Sequence, residues 1–189
     1  MGTTTMIAIA LGAVVLFAVM IYNRLVALRQ NFGNAFADID VQLKQRCDLV
    51  PNLVETVKGY AAHESGVFEK VTQARAQAMQ AGSLQERGAA EARLSGALMN
   101  LLAVAENYPK LKANENFLQL QRELGDLENK IAAARRFFNN AVAEYNTAIQ
   151  QFPAVLFAQA LGFAAADMFA LDAQERASVT AAPKVSFGG

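Results

Sequence analysis

The chain has 189 residues, enough for one ordinary domain plus an attachment, with no need for two domains. Its 17 lysines and arginines balance 17 aspartates and glutamates, so composition offers no basic face for neutralising phosphates and argues against a nucleic-acid partner. A single cysteine excludes an internal disulfide, and few glycines and prolines among plentiful Ala, Gln, Glu and Leu favour helix.

The first element is an apolar helix. No charged side chain occurs from Met1 through Asn23, and the run from Met6 to Tyr22 matches the shortest bilayer-spanning helices, which need roughly 17–25 residues. A cleaved secretory signal would carry a basic stretch before the apolar core and a small-residue cleavage site after it. Here the core runs straight into "MIYNRLVALRQNF", and no cysteine follows that could take a lipid. The expectation is therefore a retained anchor over residues 1–23. Arg24 and Arg29 follow the span and no basic residue precedes it, so the positive-inside rule puts the N-terminus outside and the C-terminal body in the cytoplasm. Ala8 and Gly12 form a small-xxx-small pair on this helix.

Beyond the anchor, Tyr22, Leu25, Phe32, Phe36, Ile39 and Leu43 recur at helical spacing, and nothing between Asn23 and Arg46 breaks the helix except Gly33. Anchor and first soluble helix are expected to form one rod of roughly 60–70 Å, at 1.5 Å per residue. Pro51 is expected to end or kink it, with Asp48 capping a second helix that carries Leu53, Val57, Tyr60, Val67, Val71 and Ala78 on one face. Gly82 supplies a stop, and "SLQE" restarts the chain as a capping box from Ser83 to Glu86. The third helix carries Leu94, Leu98, Leu101, Leu102 and Ala105. Pro109, Asn107 and Asn114 break it. The fourth is the most regular, with Phe117, Leu120, Leu124, Leu127, Ile131, Ala134, Phe138, Val142, Tyr145 and Ile149 spaced three or four apart up to Pro153. Long amphipathic helices on short loops pack most simply as an antiparallel bundle, here over residues 24–152. Residues 153–171 are apolar on nearly all sides and read as a helix that caps the bundle, lies on the membrane or meets other copies. Residues 172–189 read as an extended tail.

Candidate chemistry is sparse. Cys47 and His63 are the only residues of their kind, each beside an acid (Asp48, Glu64), but they stand sixteen residues apart, more than about 15 Å along a helix. The "HES" at His63 lacks the second histidine, one turn on, of a zinc helix, since Val67 holds that place. Glu55, Glu64, Glu69, Glu123 and Glu128 are carboxylates without the E-x-x-H pairs of a metal bundle, and the interior positions read as apolar. Arg135 and Arg136 read as solvated, or as partners of Asp38, Asp40 or Asp48. No phosphate loop or nucleophile elbow occurs. The sequence thus assigns no catalytic, cofactor-binding or metal residue and no cofactor. The stretch around Cys47 and His63 reads as a joint between helices rather than a reactive site.

Several stretches carry a family likeness: "YNRLV" after the anchor, "DIDVQLKQRCDLVPNLVETVKGYAAHE", "ENYPKLKANENFLQLQRELGDLENKIAAARRFFNNAVAEYN" with "FP" after it, and the closing "PKVSF". In this order and spacing the chain resembles the LemA family of bacterial membrane proteins along nearly its whole length. The resemblance implies an anchor followed by a long antiparallel helical bundle, usually assigned to the cytoplasmic side, with no established catalytic activity or cofactor. Together these readings give an all-α expectation: an N-terminal transmembrane helix continuing into a bundle. The expected function is a non-enzymatic, self-assembling scaffold, single-pass in the bacterial inner membrane, whose partners are lipid and other copies of itself. The alternative is an adaptor or regulator of an envelope signalling or enzyme partner, with any site formed between chains by Cys47, His63 and Glu64.

Overall fold

The computed structural model describes residues 2–169. Among them every regular element is helical: α1 (Thr3–Lys58), α2 (Ser65–Gln80), α3 (Leu84–Ala105), the single turn α4 (Pro109–Lys112) and α5 (Glu115–Gln150), followed by a 3₁₀ turn at Ala154–Leu156. The expected extended tail, residues 172–189, lies outside the described residues.

The helix ends follow local chemistry. At α3, Ser83 Oγ accepts from the Glu86 amide and the Glu86 carboxylate accepts from the Ser83 and Gly82 amides, which is the capping box read from the sequence. Those amides hold the Glu86 carboxyl below its ordinary range. A depressed acid contributes stability above its unfolded pKa and loses it as pH falls through the lower folded value, so the box weakens only in acid. Replacing Ser83 with Ala is expected to cost about 1 kcal/mol and to speed amide exchange in the first turn of α3. Unchanged exchange there would contradict the cap. At α5, Asn114 Oδ1 accepts from the Phe117 amide, so Asn114 starts the helix as its side chain predicts.

Two expectations change. First, α1 does not stop at Pro51 but runs through it to Lys58, and the joint falls at residues 59–64. An interior proline costs about 3 kcal/mol. The segment offsets that by burying Val50, Leu53, Val54 and Val57, each worth about 1.5–3 kcal/mol. Asp48 accordingly caps nothing; it pairs with Lys44 one turn back, on the surface. Second, residues 153–169 are not a helix. After the 3₁₀ turn the chain passes through turns to Gly162, whose φ of 78° suits a residue without Cβ, and then runs without regular structure. Side chains of α5 hold that run: Tyr145 Oη donates to Ala164 O, and the Asn146 amide both donates to Ala166 O and accepts from Ala166 N, each at 2.9 Å. With those backbone groups satisfied by side chains, the segment has no need of helical hydrogen bonds.

The chain divides into two compact units, and α1 and α5 contribute to both. Residues 2–41 and 132–168 form the first unit. There Leu25, Tyr145, Ala148, Ile149, Ala154, Ala158 and Phe163 share a core, and α1 and α5 run antiparallel, with Phe32 on Tyr145 and Phe36 on Phe138. The second unit is formed by residues 42–131 with Phe169. Its core joins Cys47 to Val57 of α1, Phe68 and Val71 of α2, Leu94 to Ala105 of α3, and Leu111, Phe117 and Leu124. The seams read from the sequence on α3 and α5 are the faces buried here.

Candidate functional site

The most chemically loaded place in the molecule is inside the second unit, on the apolar seam of α1. Positions 43, 46, 47, 50, 53, 54 and 57 all turn inward, and position 46 is an arginine. Arg46 is 1 % exposed and Glu91 of α3 is 3 % exposed. The Arg46 Nη2 and the Glu91 carboxylate form an ion pair. Arg46 Nη1 donates to Ser95 Oγ at 2.9 Å and to Glu128 Oε1 of α5 at 2.6 Å. One guanidinium therefore ties three helices together. Glu128 keeps 41 % of its side chain in solvent, so the cluster's second negative charge is hydrated. Burying each ion costs several kcal/mol, and the cluster is tolerable because both carboxylates face the one guanidinium.

A second arginine sits nearby. Pro51 has no amide hydrogen to give to the Cys47 carbonyl one turn back. Arg75 Nε of α2 donates to that carbonyl instead, at 2.7 Å. The helix passes through proline because a side chain from its neighbour replaces the missing donor.

Arginine stays protonated and cannot serve as a base, and the carboxylate that faces Arg46 in the core is already paired. The geometry locks helices; it presents no nucleophile. Cys47 is a buried free thiol. Burial pushes its pKa up, against smaller lowering effects of Arg46 and Arg75, so the unreactive thiol form dominates at neutral pH. Cys47 in the folded chain is expected to react with maleimide orders of magnitude more slowly than in denaturant; equal rates would refute its burial. His63 is exposed in the turn before α2, and Glu64 accepts a long hydrogen bond from Tyr108 Oη at 3.4 Å. Among the described residues no group of three or more His, Cys, Asp or Glu is arranged to hold a metal ion. Arg136 is exposed and Arg135 half-buried.

The expectation of wholly apolar interior positions is corrected by Arg46 and Glu91. Glu128 stood among the candidate interior carboxylates, whereas Arg46, Glu91, Ser95 and Arg75 did not stand out. A signal existed for two of them: Arg46 lies three residues after Leu43 and four before Val50, and Glu91 lies three before Leu94, so both occupy seam positions. Two open grooves complete the second unit. One of about 870 Å³ between α2 and α3 is lined by Lys70, Gln73, Gln77, Arg93 and Asn100, with Arg93 donating to Gln77 at 3.2 Å. A smaller one of about 420 Å³ lies between α1 and α5, beside Asp48, Glu123, Asp126 and Lys130.

At the other end of α1, the large apolar side chains from Met6 to Met20 are exposed, and none of that stretch is buried by the rest of the chain. An all-helical body that carries such a segment defines a membrane-associated helical protein. The LemA family model matches residues 35–187, and the chain belongs to the LemA family. It is similar to the magnetosome protein MamQ of Magnetospirillum gryphiswaldense, with 27 % identity over 193 residues, 87 % of this chain and 71 % of that protein. It is also similar to the magnetosome proteins MamQ 1 and MamQ 2 of Paramagnetospirillum magneticum, each 25 % identical over 176 residues, 79 % of this chain and 65 % of theirs.

Proposed function

We propose that this chain is a non-enzymatic, membrane-anchored helical scaffold that self-assembles at the bacterial inner membrane. The observation that carries the reading is the bare apolar stretch of α1, which continues without a break into packed protein. Exposed apolar surface on that scale needs a lipid or protein cover, and its length suits a bilayer. The relatives, named as magnetosome proteins and not as enzymes, support a structural role. The paired, buried charges of the second unit support it too, since they stiffen helix packing without offering a reactive group. Self-assembly draws on the open surface at Gly12, where an added Cβ would meet nothing within 4 Å, so a second span has room to approach. Orientation draws on Arg24 and Arg29, whose place just after the span supports a cytoplasmic body by the positive-inside rule. The adaptor reading draws on the groove between α2 and α3, whose charged lining residues, Lys70 and Arg93, are both cationic.

Alkaline carbonate washing of membranes, followed by surface labelling, tests the anchor and its orientation. The chain is expected to stay in the membrane pellet. A Cys47→Ser variant with a new cysteine at exposed Met99 is expected to react with an impermeant maleimide only after spheroplasts are opened. Release into the wash removes the anchor, and labelling of intact spheroplasts reverses the orientation.

A further inference from the structure

The segment that leaves α5 has two faces of different character. Ala154, Ala158 and Phe163 turn inward onto Leu25, Tyr145 and Ile149, with Ile21, Val26 and Phe32 packed against the same cluster. Phe152, Val155, Leu156 and Leu161 turn outward, and Phe152 and Leu156 are 79 % and 72 % exposed. From Phe152 through Ala166 no side chain is charged, and Gln159 alone is polar. Within the first unit, therefore, a short uncharged loop is held against the core by Ala154, Ala158 and Phe163 while Phe152, Val155, Leu156 and Leu161 are left bare.

Its position on α1 decides what covers it. The loop packs around Ile21 to Phe32, directly after the bare apolar run from Met6 to Met20. Leu25 lies five residues beyond Met20, about 7–8 Å at 1.5 Å per residue. The interfacial layer of a bilayer is about 5–8 Å deep on each side, from a total of about 40–45 Å around a core of about 30 Å. Tyr22 stacks edge-on against Phe163 of the loop at 5.6 Å, and tyrosine at the end of a span marks the headgroup level. Arg24, exposed one turn beyond Ile21, is placed for lipid phosphate.

Resting on the anchor reading, we infer that residues 152–161 form a second, monotopic membrane contact: Phe152, Val155, Leu156 and Leu161 sit in the interfacial layer beside the point where α1 enters the bilayer. The cover is assigned to lipid because the loop packs on α1 directly after the anchor's bare apolar run, with Phe163 against Tyr22. A span and an interfacial loop on one packed unit fix the unit's height and tilt, which a lone helix does not. The loop enters no deeper than the interface, since non-helical backbone in the hydrocarbon core would leave amides and carbonyls without partners.

The chain contains no tryptophan, so single-tryptophan variants report without background. The full-length chain is reconstituted in phosphatidylcholine vesicles with or without brominated acyl chains. Leu156→Trp and Phe152→Trp are the reporters, Leu16→Trp marks the span and Met99→Trp marks exposed α3. Circular dichroism verifies that each is folded, and two reporters guard against one failing. Brominated lipid is expected to lower emission about twofold or more at Leu156→Trp, Phe152→Trp and Leu16→Trp, given burial of about 5–10 Å at the interface, and to leave Met99→Trp unchanged. Quenching at Leu16→Trp without quenching at either reporter keeps the anchor and overturns the contact. Absence of quenching at Leu16→Trp overturns both. Reporters blind to brominated lipid but shifted by protein dilution assign the patch to a second copy and overturn the lipid contact.

Discussion

Replacing Arg46 with Met is expected to destabilise the second unit by about 3–5 kcal/mol, the cost of leaving a buried carboxylate without its counter-ion. Glu91 is 3 % exposed and pairs with Arg46, so its charge would stay in the core with no cation and little water. Glu128 would suffer less, being partly solvated. The asymmetry gives a sharper second arm. Arg46→Met combined with Glu91→Leu removes both charges and fills the space with apolar atoms, and such replacements are often neutral or stabilising by about 1–4 kcal/mol. The double variant is therefore expected to be markedly more stable than Arg46→Met alone. Denaturant unfolding of the detergent-solubilised chain, followed by far-ultraviolet circular dichroism, reads both. If the double variant is no better than the single, the charges are not coupled and the lock is misassigned.

Replacing Arg75 with Met is expected to cost about 1.5–3 kcal/mol, the range for a hydrogen bond from a charged donor. The cost arises because the Cys47 carbonyl, deprived of an amide by Pro51, loses its substitute donor. Pro51→Ala restores that amide and removes an interior proline, so on its own it is expected to stabilise the chain, by up to about 3 kcal/mol. In the Pro51→Ala background, Arg75→Met is expected to be nearly silent. Equal costs of Arg75→Met in both backgrounds would show that Arg75 acts through something other than the proline gap. This pair also settles a question posed by the sequence. If Pro51 were a joint, Pro51→Ala would change the course of the chain; as a bridged defect inside α1, it changes stability and leaves the helix boundaries where they are.

The sequence was most legible where one rule governed. Apolar spacing named the buried faces of α3 and α5, the Ser83–Glu86 spacing named a cap, and the charge-free stretch named the bare end of α1. It was least legible where two distant residues cancel a local rule. Pro51 reads as a break because its repair, Arg75, comes from another helix 24 residues on. Arg46 and Glu91 sit at seam positions, yet each is expensive in a core alone; only together do they become tolerable, and their pairing across 45 residues is what the sequence does not display. The apolar segment after Pro153 reads as a helix because periodicity says nothing about Tyr145 and Asn146 binding its backbone. The stretch from Cys47 to His63 reads in the sequence as a joint; in the structure the carbonyl of Cys47 takes the hydrogen bond that carries α1 through its proline, and the histidine stands in the turn where α1 ends.

Self-assembly shows most directly in the copy number of the intact chain. Light scattering on the full-length protein in mild detergent at micromolar concentration, with detergent mass subtracted, is expected to give a protein mass of several chains of 20.3 kDa. A clean single-chain mass at that concentration would contradict self-assembly and leave an anchored monomer.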